Sequence, residues 1–125
     1  MLGRIIEWIE QLFSVQPSKK NKTKKIVKPP ILFSELTVVE KTPRNNDVEQ
    51  GLFYLVYPNR KKKWVLFLCP CGCGYVITLS LKNLHNPHWR LNIGKEGRPT
   101  LYPSVWQKTE CRSHFWLRDG RIYWC

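Results

Sequence analysis

The sequence predicts a mostly β fold: a small antiparallel, zinc-ribbon-like β domain preceded by an N-terminal amphipathic helix. Three observations lead to this prediction. Short runs rich in β-branched and aromatic residues follow residue 31, turn signals separate these runs, and two Cys/His clusters lie about forty residues apart. The chain has 125 residues, which is enough for one domain, and the part with globular composition is shorter still.

Residues 1–15 predict the helix. Apolar residues recur there at helical spacing, opposite charged and polar ones; the apolar positions are Leu2, Ile5, Ile6, Ile9, Leu12 and Phe13. Residues 16–30 form a basic Lys/Pro linker, with six lysines between Lys19 and Lys28 and prolines near both ends. We expect the helix to dock on its own domain, on a protein partner or on an anionic membrane surface.

Residues 31–125 predict the β-rich zinc-binding domain. Strands are expected at 35–40, 52–57, 64–68, 75–81, 89–93 and 100–106, with turn-forming residues between them. The clearest hairpin is the last, in which Asp119 and Gly120 form a two-residue turn of the primed type. Counting outward from that turn pairs Leu117 with Ile122 and places His114 opposite Cys125, within reach of one metal ion.

The same count at the first cluster predicts a three-residue loop. Pro70, Cys71 and Gly72 would form it, with Gly72 in the left-handed conformation and Cys69 facing Cys73. A disulfide is less favoured than a metal, because cysteines two residues apart rarely meet disulfide geometry and five thiols leave one unpaired.

Six residues are therefore candidate metal ligands, for a site that normally uses four: Cys69, Cys71, Cys73, Cys111, His114 and Cys125. The preferred set is Cys71, Cys73, Cys111 and His114. A competing set replaces Cys71 and Cys111 by Cys69 and Cys125, and a two-metal cluster would use all six. Zinc is the expected cofactor, since it is the usual occupant of closed Cys/His sites. His85 and His88 are interpreted as ordinary loop residues.

A closed, thiolate-rich site argues against catalysis by the metal, and the chain lacks the H-E-x-x-H and H-x-E patterns of zinc hydrolases and deaminases. No catalytic residue is predicted, and a non-enzymatic role is favoured. A narrower alternative keeps Cys69 or Cys125 as a reactive thiol. The beginning of the sequence does not resemble a secretory signal and no apolar run is long enough to span a bilayer, so a cytoplasmic location is expected.

The formal net charge of +12 predicts an anionic partner. Basic residues crowd the turn from Arg60 to Lys63 and the linker, and tryptophans offer stacking faces, as in proteins that bind single-stranded nucleic acid. The tryptophans also fit alternating strand positions, where they would be core residues. Nucleic acid is therefore a possible partner.

Several segments together resemble a family of short bacterial proteins classed as a domain of unknown function. They are CPCGCG from Cys69, WRL from Trp89, TLxPSVW from Thr100, CRSHFW from Cys111 and the terminal GRIxWC. The resemblance covers residues 51–125 and implies that the six candidate ligands form the family's metal motif. Members are encoded beside genes for ubiquitin-like conjugation, including a multi-ubiquitin-like protein, an activating-enzyme homologue and a deubiquitinase-like metalloprotease.

The resemblance, together with the metal motif, predicts a zinc-binding accessory or adaptor module in a bacterial ubiquitin-like conjugation system, with a possible role in defence against phage. We expect its partner to be a protein of that system, bound by the helix or by the β domain. Two alternatives stay open: a zinc-ribbon-like nucleic-acid binder, and a carrier or ligase-like factor that uses Cys125 or Cys69.

Overall fold

The computed structural model describes residues 27–109 and 111–125 of the chain. Within them, nine strands form three small sheets, so the mostly β prediction is confirmed: β1 (Leu36–Val39), β2 (Phe53–Val56), β3 (Trp64–Leu68), β4 (Val76–Ser80), β5 (Arg90–Ile93), β6 (Pro99–Tyr102), β7 (Val105–Trp106), β8 (His114–Arg118) and β9 (Arg121–Trp124). Single 3₁₀ turns cover Asn45–Asp47 and Pro58–Arg60. The predicted helix at residues 1–15 and most of the predicted linker lie outside the described residues.

The largest sheet has the strand order β1-β2-β3-β4. Strands β2, β3 and β4 form the expected antiparallel meander, but β1 pairs with β2 in parallel, with Leu36 opposite Phe53. The purely antiparallel prediction is wrong at this pair. The connection through residues 40–52 is long enough for the crossover that parallel strands require, and alternating hydrophobicity carries no information on strand direction.

The predicted C-terminal hairpin is confirmed together with its register. Strands β8 and β9 pair Leu117 with Ile122, and the Cys125 N–H donates to the His114 carbonyl at 3.0 Å. Asp119 and Gly120 have φ of 51° and 73°, as a primed turn requires. The Arg98 guanidinium donates two hydrogen bonds to the Asp119 carboxylate, at 3.0 and 2.8 Å, which fastens this turn to the β5–β6 hairpin.

The strand predicted at residues 100–106 is divided in two. Strand β6 pairs with β5, whereas β7 pairs with β8 in a different sheet of order β9-β8-β7. The break occurs at Pro103, whose ring removes a main-chain N–H and so interrupts a ladder of hydrogen bonds. Ser104 therefore lies where the chain passes from one sheet to the next.

A cluster of phenylalanines joins the largest sheet to the β9-β8-β7 sheet. Phe67 of β3 contacts Phe33, Phe53 and Phe115 with ring centroids 5.5, 5.3 and 6.4 Å apart, and all four rings are fully buried. Trp106 and Trp124 are instead more than half exposed, so these two tryptophans are not core residues. The described part of the chain contains no helix with the length and apolar character needed to cross a membrane.

Gly120 is required by contact as well as by conformation. A Cβ at this position would lie 2.2 Å from the carbonyl oxygen of Phe33. This oxygen belongs to the main chain, so the overlap can be relieved only if the backbone moves. We expect Gly120→Ala to lower the free energy of unfolding by about 3 kcal/mol or more, because steric overlap adds to the strain of a positive φ. Urea unfolding followed by tryptophan fluorescence measures this change.

Gly97 supplies the matched control. It has a similar φ of +83° but open space around the added Cβ, so Gly97→Ala should cost only about 1 kcal/mol. Equal destabilisation by the two variants would contradict the close approach of Phe33 to the hairpin turn.

Candidate functional site

Four of the five cysteines gather at one end of the two larger sheets. Cys69 follows β3, Cys71 and Cys73 belong to the β3–β4 loop, and Cys111 comes from the connection between β7 and β8. The four Sγ atoms lie within 4.8 Å of one another, and the Sγ of Cys69 is 3.5 Å from those of Cys71 and Cys111. This group is called the thiol cluster below.

The loop that carries three of these thiols is longer than the sequence predicts. The Cys69 N–H donates to the carbonyl of Tyr75 at 2.8 Å, so Cys69 faces Tyr75 rather than Cys73. Gly72 takes the expected left-handed conformation with φ of +89°, and Gly74 does so as well with φ of +85°. Two such reversals in three residues widen the loop, which brings Cys71 and Cys73 round to Cys69.

The thiol cluster fits a metal ion that prefers sulfur. Four sulfur ligands at about 2.3 Å around a tetrahedral ion stand about 3.8 Å apart, close to the 3.5 Å observed for two of the pairs and below the 4.8 Å that bounds all of them. All five cysteines are free thiols, and 3.5 Å is far beyond a covalent S–S bond. The thiol cluster can therefore hold a metal ion.

The thiols of the cluster differ in acidity. Burial raises the pKa of Cys69 to about 12, because no water stabilises its thiolate. The Ser113 hydroxyl lies 3.1 Å from the Sγ of Cys111 and lowers the pKa of that thiol to about 6, since a thiolate is a better acceptor for the hydroxyl proton. Burial thus opposes ionisation of Cys69, whereas the hydroxyl of Ser113 favours the thiolate of Cys111.

His114 and Cys125 do not belong to this group of four. Cys125 is exposed at the end of β9, and His114 begins β8 with its imidazole directed to Ser104. The thiol cluster thus coincides with neither of the two four-ligand sets named from the sequence, because it takes all three cysteines of the β3–β4 loop. His85 and His88 lie in an exposed turn apart from it.

Ser104 and His114 form a hydrogen-bonded pair. The Oγ of Ser104 and the Nε2 of His114 are 3.0 Å apart, the separation found between a nucleophilic serine and its base. Both side chains are half-buried. The indole of Trp106 stacks on the imidazole, with centroids 5.1 Å apart and planes 16° from parallel, and Trp106 is the cross-strand neighbour of His114 in the β7–β8 ladder.

The main chain around this pair is held by two further contacts. The indole N–H of Trp89 donates to the Ser104 carbonyl at 3.2 Å, and the Cys125 N–H donates to the His114 carbonyl. In residues 27–109 and 111–125, no carboxylate hydrogen-bonds to the imidazole of His114. Ring stacking by Trp106 is therefore the side-chain contact, besides that of Ser104, that holds the plane of this imidazole.

A cavity opens beside Ser104. It has a volume of about 430 Å³, within the range of sites that bind peptides or small molecules, and its walls are Pro87, Trp89, Ser104, Trp106, Gln107, Lys108 and Thr109. A group bound in this cavity therefore contacts Ser104.

The sequence reasoning missed Ser104. The residue belongs to the segment TLxPSVW that carries part of the resemblance, but a serine nucleophile has no spacing signature and its histidine lies on another strand. A second Ser–His contact joins Ser80, at the end of β4, to His85 in the exposed turn that follows. The two pairs differ in their surroundings, because Ser104 lines the cavity of about 430 Å³ and Ser80 does not.

Comparison with protein families gives a match over residues 38–125, to a family model described as "Bacterial ubiquitination-like system serine protease (BubE)". Comparison with curated proteins and with solved structures gives no significant match to this chain. The matched range includes all nine strands except the first two residues of β1, together with the thiol cluster, Ser104 and His114. It confirms the expected link to bacterial ubiquitination-like systems. The chain belongs to the family of bacterial ubiquitination-like system serine proteases, BubE.

Proposed function

We propose that this protein is a serine peptidase of a bacterial ubiquitination-like system, with Ser104 as the nucleophile and His114 as the general base. The observation that carries the proposal is the 3.0 Å contact between Ser104 Oγ and His114 Nε2, in which Ser104 also lines a cavity. The description of the family as serine proteases supports the same chemistry.

The hydrolysis proceeds through two acyl transfers. Ser104 Oγ attacks the carbonyl carbon of a peptide bond while its proton moves to His114 Nε2, in the tautomer whose Nδ1 already carries a hydrogen. The tetrahedral intermediate expels the amine, which takes that proton, and leaves an ester on Ser104. Water then attacks the ester, gives a proton to Nε2 and releases the carboxylic acid, after which the proton returns to Ser104.

Trp106 and the sheet keep the two reacting groups in register. Stacking on Trp106 fixes the plane of the imidazole, and the hydrogen bond from Cys125 fixes the backbone of His114. Positioning of this kind lowers the activation barrier, because the entropy cost of bringing the reacting atoms together is already met in the folded protein. The ladder between β7 and β8 therefore acts as the frame of the active site.

The second part of the proposal is a zinc ion held by Cys69, Cys71, Cys73 and Cys111. Four thiolates leave no open position for water, so the ion's contribution is structural. It cross-links the β3–β4 loop to the β7–β8 connection, and Cys111 lies only three residues before His114. Zinc binding in this way supports the position of the base without entering the reaction.

The adaptor interpretation of the sequence stays a prediction, because no observation tests whether the chain acts without catalysis. It shares the link to a ubiquitination-like system with the peptidase proposal and differs in expecting no hydrolysis. The thiol-carrier alternative is less favoured for Cys69, whose burial raises its pKa to about 12. Nucleic-acid binding also stays a prediction.

Replacement of the nucleophile tests the peptidase directly. We expect Ser104→Ala to reduce hydrolysis of an unstructured peptide library by about a thousandfold or more, because the covalent route is lost. Mass spectrometry of the cleaved peptides measures the rate. A fluorophosphonate probe should add to the wild-type chain at Ser104 and fail to add to Ser104→Ala.

Ser80 offers a matched control, since its hydroxyl also contacts a histidine, but Ser80 ends β4 and does not line the cavity at Ser104. Ser80→Ala should retain activity and labelling within about twofold, as is usual for a surface substitution. Retained hydrolysis in Ser104→Ala, or activity that follows Ser80 instead, would overturn the assignment.

Elemental analysis of cysteine variants tests the zinc site. We expect one zinc per chain, lost on replacement of any thiol of the cluster by serine and retained in Cys125→Ser, because that thiol lies outside the cluster. Full retention in Cys71→Ser together with loss in Cys125→Ser would favour the competing ligand set.

Zinc affinity should rise with pH. The pKa of Cys69 is raised to about 12, so this thiol is protonated throughout the range from about pH 6 to 9. Binding of the metal by Cys69 as a thiolate ligand therefore releases at least one proton at every pH in that range. Affinity should therefore increase at least about tenfold per pH unit between pH 6 and 9. Competition with a chromogenic chelator at several pH values measures this slope, and a flat profile would exclude Cys69 as a thiolate ligand.

A further inference from the structure

The open edge of β7 presents main-chain groups beside Ser104. Gln107 N–H donates to the Ser113 carbonyl at 2.7 Å, so Val105 and Gln107 direct their main-chain groups to β8. Alternate residues of an antiparallel strand point the opposite way. The N–H and C=O of Trp106 therefore point away from β8, as the Ser104 carbonyl does where it accepts the indole N–H of Trp89.

A second open edge borders the same space. Strand β4 is the last strand of the largest sheet among the described residues, and its Ser80 carbonyl accepts the main-chain N–H of Trp89 at 2.8 Å. Thr78 has the same parity as Ser80, so its main-chain groups point outward as well. Trp89 thus bridges the two edges at one end, through its main chain to β4 and its indole to Ser104.

Between these edges runs a groove, which we name the inter-sheet groove. Its narrow part has a volume of about 90 Å³ and is lined by Tyr75, Ile77, Thr78, Leu79, Trp89, Val105, Trp106 and Gln107. It shares Trp89, Trp106 and Gln107 with the larger cavity at Ser104, so the two spaces adjoin. Tyr75 and Trp106, on opposite walls, are 40% and 56% exposed, and a ligand reaches the groove past them.

One polar atom of the groove lacks a partner. The side-chain amide nitrogen of Gln107 is buried without a hydrogen bond; in the described part of the chain only Arg121 Nε shares this condition. A buried donor without an acceptor lowers the stability of the folded state. In native proteins such a group often forms its hydrogen bond with a bound water or ion. A carbonyl oxygen in the inter-sheet groove would satisfy it after a rotation of the Gln107 side chain that brings this buried nitrogen to the groove.

An extended polypeptide matches these requirements. Its main chain supplies the acceptor for Trp106 N–H, the donor for Trp106 C=O and a further carbonyl for Gln107 Nε2, at the spacing of a β-strand. A carbohydrate or nucleotide offers no such alternation of amide donors and carbonyl acceptors. A folded surface is too broad to enter between two strand edges.

We propose that the inter-sheet groove binds an extended segment of the substrate polypeptide, which pairs with Trp106 on the open edge of β7 and accepts a hydrogen bond from Gln107 Nε2. This inference rests on the proposed peptidase function and defines its substrate class as unstructured segments or chain ends. Side chains of the bound segment next to the reacting carbonyl enter the cavity of about 430 Å³ beside Ser104.

The test uses the full chain carrying Ser104→Ala, so that binding is measured without cleavage. Twelve-residue unstructured peptides are selected on this protein by display, and the affinity of the best peptide is measured by fluorescence anisotropy. The peptide is then N-methylated at each main-chain nitrogen in turn. We expect a loss of affinity of about tenfold at the amide that donates to the Trp106 carbonyl and smaller losses at the other positions, because only alternate amides face the edge of β7.

Gln107→Met provides the matching change in the protein. It removes the unpartnered amide at nearly constant volume, so peptide affinity should fall about tenfold while the urea midpoint of unfolding stays equal or rises. Gln50→Met, at an exposed glutamine, is the control and should change neither quantity. Unchanged affinity in Gln107→Met would overturn the role of this residue.

The outcomes separate the inference from the peptidase proposal. Position-specific effects of N-methylation on binding support the groove even if the wild-type chain cleaves no peptide. Failure to select any peptide, or N-methyl effects without position dependence, overturns the groove. In that case, hydrolysis by the wild-type chain would leave the catalytic roles of Ser104 and His114 intact.

Discussion

The packing of Phe67 against Phe115 is the contact on which the site depends. The two rings meet edge to face at 6.4 Å, and both are fully buried. Phe67 lies two residues before Cys69 on one sheet, and Phe115 follows His114 on another. Burial of these rings therefore fixes, in one contact, the separation between the thiol cluster and the histidine.

The thiol cluster connects the same two sheets as this contact, through polar side chains instead of aromatic rings. A hydrophobic core tolerates small shifts of one sheet against the other, whereas a metal ion held by these four sulfur atoms would accept only a narrow range of positions. The cluster and Trp89 bridge the two sheets at separate places, and the inter-sheet groove lies along the edges that they connect. These two connections hold the sheets in place, so the edges of β4 and β7 can stay open near Ser104.

The sequence predicted the strands well because alternation has a fixed period. The span of β3 and the register of the last hairpin are as expected, since Asp119-Gly120 admits one kind of turn and the pairs follow by counting. The parallel pairing of β1, the break at Pro103 and the wider cysteine loop were not predicted. Each depends on which segments meet across the core, and local patterns do not contain that information.

By itself, the sequence determined the class of fold, the cysteines available to a metal and the link to ubiquitination-like systems, because these follow from composition, spacing and motif. Only the tertiary structure decided how those residues are divided. It gathered Cys69, Cys71, Cys73 and Cys111 into one group and turned His114 to Ser104 instead. The physical reason is that β7 and β8 place Trp106 opposite His114, so the imidazole stacks on that ring and reaches the serine one strand away.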